Sequence, residues 1–252
     1  MTEGAPLLEL RGVSKVFGAV RALDGVNFTV PPGKVTALAG DNGAGKSVLI
    51  KTVSGLWEPA EGEILWEGSP IHFHSPTDAE ARGITTIYQD LALCDNLDIV
   101  QNMFLGHETM RHGLLDESSM ELAARQTLDD LHVTTVRSIR QPVASLSGGQ
   151  RQSVAVAKAV MQSAKLVIMD EPTAALGVAQ TEMVLELIKR LSSQGTAVIL
   201  ISHNLNDVFE VADQISILYL GRMVASGPAE EFDRQVVVDY MTSGESSRAV
   251  AG

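Results

Sequence analysis

The chain has 252 residues, 45% of them hydrophobic, which is enough for a substantial core without covalent staples. Nineteen Lys and Arg against 31 Asp and Glu leave a formal charge of −12, an acidic balance that repels a phosphate backbone and argues against a nucleic acid partner. The single cysteine, Cys94, excludes an internal disulfide and suits a reducing, cytosolic compartment. No apolar run approaches the roughly 18 residues of a spanning helix or forms a signal-peptide core, so any membrane role would need another chain in the membrane.

Residues 7–30 alternate apolar and polar around Gly12, Gly18 and Gly25, which predicts short antiparallel strands joined by turns. Residues 34–39 (KVTALA) form a short apolar run ahead of a glycine-rich turn, the pattern of a strand buried on both faces, and a helix containing residues 48–53 follows. His72 and His74 alternate on a predicted strand and read as surface residues, since no further metal ligands accompany them. Residues 91–162 read as mostly helical, with a capping box of Ser118 and Glu121 and an apolar stripe of Met120, Ala124, Leu128 and Leu131. Apolar runs return at 165–169 and 196–201. Between them Val184, Leu187, Ile188 and Leu191 recur at helical spacing, with Gly195 as a stop. Residues 215–220 and 223–226 flank Gly221 and Arg222 as a hairpin, and 243–252 read as a tail. This alternation assigns the α/β class with a parallel sheet, preceded by an antiparallel β region.

The turn after the first buried run is GDNGAGKS, from Gly40 to Ser47, which matches G-x-x-x-x-G-K-[ST] between a strand and a helix. Glycines let the backbone aim several N–H groups inward, and with the helix N-terminus these surround a polyphosphate. Lys46 supplies a mobile positive charge, and Ser47 offers a hydroxyl to Mg²⁺ bridging the β- and γ-phosphates. Asp170 and Glu171 follow the second apolar run, at the strand end where ligands gather in open parallel sheets. Asp170 is the candidate Mg²⁺ partner and Glu171 the candidate base that orients water for attack on the γ-phosphate. Taken alone, such an acidic pair also reads as a solvated turn; the phosphate loop makes it a site.

Between those motifs lies LSGGQ, Leu146 to Gln150, and here the sequence resembles the ATP-binding cassette (ABC) ATPases, whose signature peptide this is; the resemblance spans essentially the whole chain to about residue 240. The resemblance implies a P-loop NTPase core with an N-terminal antiparallel β subdomain and an inserted helical subdomain. In those terms residues 1–90 and 163–242 are the ATP-binding core, 91–162 the helical subdomain and 243–252 a flexible tail. It implies that Gly40, Asn42, Gly43, Gly45, Lys46, Ser47 and Val48 of one copy grip ATP against Ser147, Gly148, Gly149 and Gln150 of a second. A homodimer follows from that arrangement. By the same resemblance Gln89 is the glutamine that touches Mg²⁺ and water, His203 the switch histidine at the γ-phosphate, and Phe17 the aromatic that stacks on adenine. The metal set is then Ser47, Gln89 and Asp170, and the catalytic set Glu171, His203, Gln89 and Lys46. Two departures stand out: Gly177 follows Leu176 where the family often has Asp, and Val48 stands where Thr is frequent.

Wording around the motifs, such as ITTIYQDL at 84–91 and NMFLG at 102–106, is similar to ATPases of bacterial monosaccharide importers of the ribose, xylose and fructose type. That implies an integral membrane permease and an extracytoplasmic sugar-binding protein as partners, with this subunit on the inner face of the membrane. Many of those relatives carry two fused cassettes, so a single cassette implies two copies per transporter. An alternative is an ABC-type binding switch acting on a soluble partner, but the long coiled-coil insertions or charged linkers of such proteins are not seen. A small-molecule kinase would leave LSGGQ unexplained.

Overall fold

The structure, a computed structural model, describes residues 5–133, 135–174 and 176–246. β1 (Leu8–Phe17) and β2 (Val20–Val30) pair antiparallel from Leu8 opposite Val30 to Phe17 opposite Val20. They are two long strands where several short ones were expected, because the ladder absorbs Gly12 and Gly25 as irregularities instead of turning there. β3 (Val35–Ala39) is buried at every position and leads into α1 (Lys46–Val53). β4 (Glu61–Trp66) pairs with β1, and β5 (Ser69–Ile71) with β4, which completes a four-stranded antiparallel sheet of order β2-β1-β4-β5. β5 ends at Ile71, so His72 and His74 lie in a loop and not on the expected strand. Helix α2 (Pro76–Ala81), started by a Ser75 cap and a proline in its first turn, claims the chain just beyond.

β6 (Ile84–Ile87) is followed by α3 (Ile99–Phe104), the hairpin of β7 (Met110–Arg111) and β8 (Leu114–Leu115), α4 (Glu117–Asp130) and α5 (Gly148–Met161). Among the described residues, the expected helical character of 91–162 resolves into three α-helices, a 3-10 turn at Val143–Ser145 and a hairpin, whose two-residue turn is made by His112 and Gly113, both at positive φ. The cap of α4 is Asp116 and not Ser118: its carboxylate accepts the Ser119 N–H at 3.1 Å. Glu121 is turned instead to Arg125 and Arg140. The stripe itself holds, with Met120, Ala124, Leu128 and Leu131 all buried.

β9 (Leu166–Asp170), α6 (Val178–Ser193), β10 (Ala197–Ile201) and α7 (Leu205–Val211) follow as strand, helix, strand, helix. β11 (Gln214–Tyr219) and β12 (Arg222–Pro228) form the expected hairpin, but Arg222 pairs with Tyr219, so the turn is Leu220 and Gly221. The last helix, α8 (Arg234–Ser243), ends on Gly244 in a left-handed cap. Ser243 thus belongs to a helix, and most of the expected tail lies outside the described residues.

The central sheet has the order β12-β11-β3-β10-β9-β6, with β11, β3, β10, β9 and β6 parallel. Alternate residues enter different cores. Val167, Met169, Val198 and Leu200 pack against α3 to α6, whereas Leu166, Ile168, Ile199 and Ile201 pack against α1 and the antiparallel sheet. A sheet covered on both faces needs apolar side chains at every position, which is why these strands read as continuous apolar runs. Among the described residues, no helix is long and apolar enough to cross a membrane.

Candidate functional site

The strand order places the motifs. β3, β10, β9 and β6 are parallel neighbours, so the residues after their C-terminal ends share one edge of the sheet. These are Gly40 after β3, His203 after β10, Asp170 and Glu171 at β9, and Gln89 after β6. At the roughly 4.8 Å spacing of strands, the ends of β3 and β6 stand about 14 Å apart, with those of β10 and β9 between them.

Residues 42–48 of the phosphate loop and the start of α1 border a cavity of about 440 Å³ whose walls also include Val20, Arg21, Ala22, Leu220 and Gly221. The glycines are demanded by close approach. A Cβ on Gly40 would stand 2.5 Å from the Leu218 carbonyl oxygen, and one on Gly45, at φ +107°, 2.9 Å from that of Ala22. Gly45 caps α1 without any side-chain hydrogen bond, which leaves the helix N-terminus open toward the cavity. Asn42, Gly43 and Ser47 are exposed to it, and Val48 is half-buried against the second core cluster. Lys46 Nζ donates to Gly40 O at 2.7 Å and to Asp41 O at 3.0 Å, so the loop's own carbonyls hold the ammonium where a phosphate could replace them. Burial lowers the Lys46 pKa, opposed by the nearby charges of Glu171, Asp170 and Asp41.

Asp170 is half-buried, and desolvation first, then its like-charged neighbour Glu171, raise its pKa; Lys46 and Lys51 act the other way. Glu171 sits at φ +51°, a conformation that costs a non-glycine residue about 1–2 kcal/mol. Its N–H donates to Ile201 O at 2.9 Å, which ties the bend to the end of β10. Its Oε1 lies 2.8 Å from His203 Nδ1, and the glutamate side chain is 17% exposed against 68% for the histidine. The strained backbone therefore delivers a shielded carboxylate to an exposed imidazole on the next strand. Gln89 is exposed just beyond β6.

The signature residues stand apart from this cavity: none of Ser147 to Gln150 is among its lining residues. They open α5, where the Gln150 N–H donates to Ser147 Oγ and the Ser147 N–H to Gln150 Oε1. The start of α6 presses on them. A Cβ on Gly148 would meet Leu176 Cδ2 at 2.7 Å, and one on Gly149 would meet Gln180 Cβ at 3.1 Å. Gly177 is the N-cap of α6, with open space around it. Phe17 is 40% exposed at the end of β1, edge to face with Trp57 at 4.8 Å between ring centroids and with Lys15 Nζ 5.4 Å above its ring. It does not line the cavity, whereas its cross-strand partner Val20 does.

Sequence reasoning missed Val20, Arg21, Ala22, Leu220 and Gly221. They belong to no motif and reach the loop only because β2 and the β11–β12 turn are folded against it. The Gly221 N–H donates to Ala44 O at 2.8 Å and Gly221 O accepts from the Asp24 N–H at 2.8 Å. A larger cavity, about 810 Å³, opens at the other end of the sheet beside Pro31, Pro32 and Lys34. Its Asp213 carboxylate accepts from Lys34 Nζ and from the Val35 N–H, both at 2.8 Å.

A parallel sheet with a glycine-rich phosphate loop after one strand, an acidic pair after another and a carboxylate–imidazole contact beside them defines a P-loop nucleotide-binding protein. Comparison with known proteins narrows that class. The ABC transporter family profile matches residues 23–174. The fructose import ATP-binding protein of Rhizobium meliloti is 48% identical over 247 residues, covering 95% of each chain. The xylose/arabinose import ATP-binding protein of Sulfolobus acidocaldarius is 47% identical over 237 residues, covering 94% of each. The solved ADP conformation of an ATP-binding cassette from an ABC transporter superposes with a TM-score of 0.82 at 27% identity, covering 93% of this chain and 95% of that one. The chain belongs to the ABC transporter family and is one of its ATP-binding, ATP-hydrolysing cassettes.

Proposed function

We propose that this chain energises uptake of a monosaccharide, hydrolysing ATP at the edge of its central sheet while a separate integral membrane permease carries the sugar. The observation that carries the chemistry is the convergence of four neighbouring strand ends, with Glu171 Oε1 held 2.8 Å from His203 Nδ1. The sugar reading rests on the likeness to fructose and xylose/arabinose import proteins across nearly their whole length. The whole chain acts as one nucleotide-binding unit, in which 91–162 form a helical subdomain that carries the signature and the rest forms the core.

In this reading the N–H groups of residues 42–47 and Lys46 bind the phosphates, and the Lys46 ammonium exchanges its two carbonyl partners for phosphate oxygens. Glu171 accepts a proton from the attacking water, and His203 orients the carboxylate and contacts the terminal phosphate. ATP and water become ADP and phosphate. Phe17 supplies a stacking face for adenine. Ser47, Gln89 and Asp170 offer only oxygen donors, which fits Mg²⁺, and a cation there would also offset the repulsion that raises the Asp170 pKa. When bound, Mg²⁺ neutralises charge on the β- and γ-phosphates.

Ser147 to Gln150 do not line the cavity of their own chain, which supports a homodimer in which each copy's signature closes its partner's site. The assembly sits on the cytoplasmic face of the membrane, on permease subunits, with an extracytoplasmic sugar-binding protein delivering cargo. The decisive experiment is ATP binding and phosphate release by the purified chain with magnesium, then ATP-dependent uptake of labelled monosaccharides by vesicles holding the permease. Lys46→Ala should weaken ATP binding at least tenfold, since a charge-assisted phosphate contact is worth about 1.5–3 kcal/mol. A wild-type chain that neither binds nor turns over ATP would overturn the proposal.

A further inference from the structure

The β11–β12 hairpin turns through two residues, Leu220 at φ +44° and Gly221 at φ +81°, between the paired Tyr219 and Arg222. Both central residues of such a turn need positive φ, which favours Asn or Asp followed by Gly. A leucine there is strained, and its side chain gains nothing from burial, since it is 68% exposed.

The turn is held rigidly. Gly221 is hydrogen-bonded to Ala44 in the phosphate loop and to Asp24 in β2, and a Cβ on it would stand 2.7 Å from Ala22 O. These ties bring Leu220 to the wall of the 440 Å³ cavity, alongside Val20, which is 65% exposed. The third side chain of that wall, Arg21, is committed elsewhere: its guanidinium donates to Asp24, Glu61 and Ser14. The wall that β2 and the hairpin turn give this cavity therefore presents two exposed aliphatic side chains on a hydrogen-bonded frame. An apolar wall of this kind suits the flat, weakly hydrated part of a nucleotide and has nothing to offer its phosphates.

We propose that Leu220, with Val20, forms an aliphatic part of the nucleoside contact, beside the stacking face that Phe17, the cross-strand partner of Val20, supplies, so that Leu220 is a specificity-determining residue that distinguishes a nucleoside triphosphate from a bare polyphosphate. This inference rests on the nucleotide reading above and adds to it a residue outside every motif. It also accounts for a strained leucine where a polar residue would fold more easily.

The test is equilibrium binding of two probes, ATP with magnesium and inorganic tripolyphosphate with magnesium, to the full chain and to Leu220→Asn and Leu220→Met, with thermal unfolding of each in the absence of ligand. Asn tolerates the left-handed turn, so Leu220→Asn should unfold about 2–4 °C higher. It should bind ATP about fivefold more weakly through lost apolar contact, with tripolyphosphate affinity unchanged. Leu220→Met keeps the apolar reach and should bind ATP as the parent does. Equal ATP affinity for Leu220→Asn and the parent, or parallel weakening of both probes, would overturn the inference while leaving the proposed function standing. Failure of the parent chain to bind ATP at all would overturn both.

Discussion

Glu171 offers the sharpest test of the catalytic geometry, because its backbone and its side chain make separable demands. Replacing it by Gln keeps the shape of the side chain and removes its negative charge, and with that the ability to accept a proton. The amide oxygen can still face His203 Nδ1, 2.8 Å from the present carboxylate, and the φ of +51° is as costly for Gln as for Glu. The fold and the nucleotide contacts should therefore survive, with ATP affinity within about twofold and the melting temperature within about 1 °C of the parent. Loss of a positioned base costs roughly 10²–10⁴-fold in rate, or about 2.7–5.4 kcal/mol at 1.36 kcal/mol per decade. Phosphate release under saturating ATP measures this directly, and size-exclusion chromatography with ATP should show the unreacting variant accumulating as a dimer. Glu171→Gly completes the comparison: glycine adopts this φ freely, so the variant should be equally inactive and yet melt about 2–4 °C higher. A Glu171→Gln rate within threefold of the parent would refute the assignment of the base, and a Glu171→Gly variant less stable than the parent would refute the claim that strain is held at this bend.

Asp170→Asn should raise the stability of the nucleotide-free chain at neutral pH. The folded-state pKa of Asp170 is raised, so the fold binds this proton more tightly than the unfolded chain does, and stability falls as pH rises through the interval between the two values. The variant should lack that portion of the pH dependence in thermal melts above the ordinary carboxylate pKa, while losing magnesium-dependent turnover; a melt profile identical to the parent's would contradict the desolvation argument. Gly177→Asp should raise the melting temperature by about 1–3 °C, because Gly177 is an N-cap in extended conformation with open space around it and the first turn of α6 holds no acidic residue. Its ATP affinity should stay at the parent value while the lifetime of the ATP-bound dimer changes, and an unaltered dimer lifetime would count against a role for this loop between copies.

The chemistry was legible in the sequence because each motif is local. A phosphate loop is eight consecutive residues whose glycines serve their own backbone, Asp170 and Glu171 adjoin an apolar run, and the Ser147–Gln150 capping box spans one turn. The buried strands were readable for a related reason: a sheet covered on both faces leaves no polar alternation to confuse the pattern. Reading failed where a local signal had two outcomes. Gly12 and Gly25 serve a turn or a bulge equally well, and the ladder between β1 and β2 decided for bulges. Ser118 and Asp116 both cap helices, and the start of α4 at Glu117 chose the aspartate.

What the sequence by itself determined is the set of reacting groups and the strands that carry them. What only the tertiary structure decided is their adjacency, since no spacing along the chain states that β9 lies beside β10, or that Glu171 bends back to meet a histidine 32 residues further on. The cavity wall made by Val20 and Leu220 belongs to the same category. Those side chains carry no signal of their own and acquire a role only from the hydrogen bonds that dock one hairpin turn against the phosphate loop.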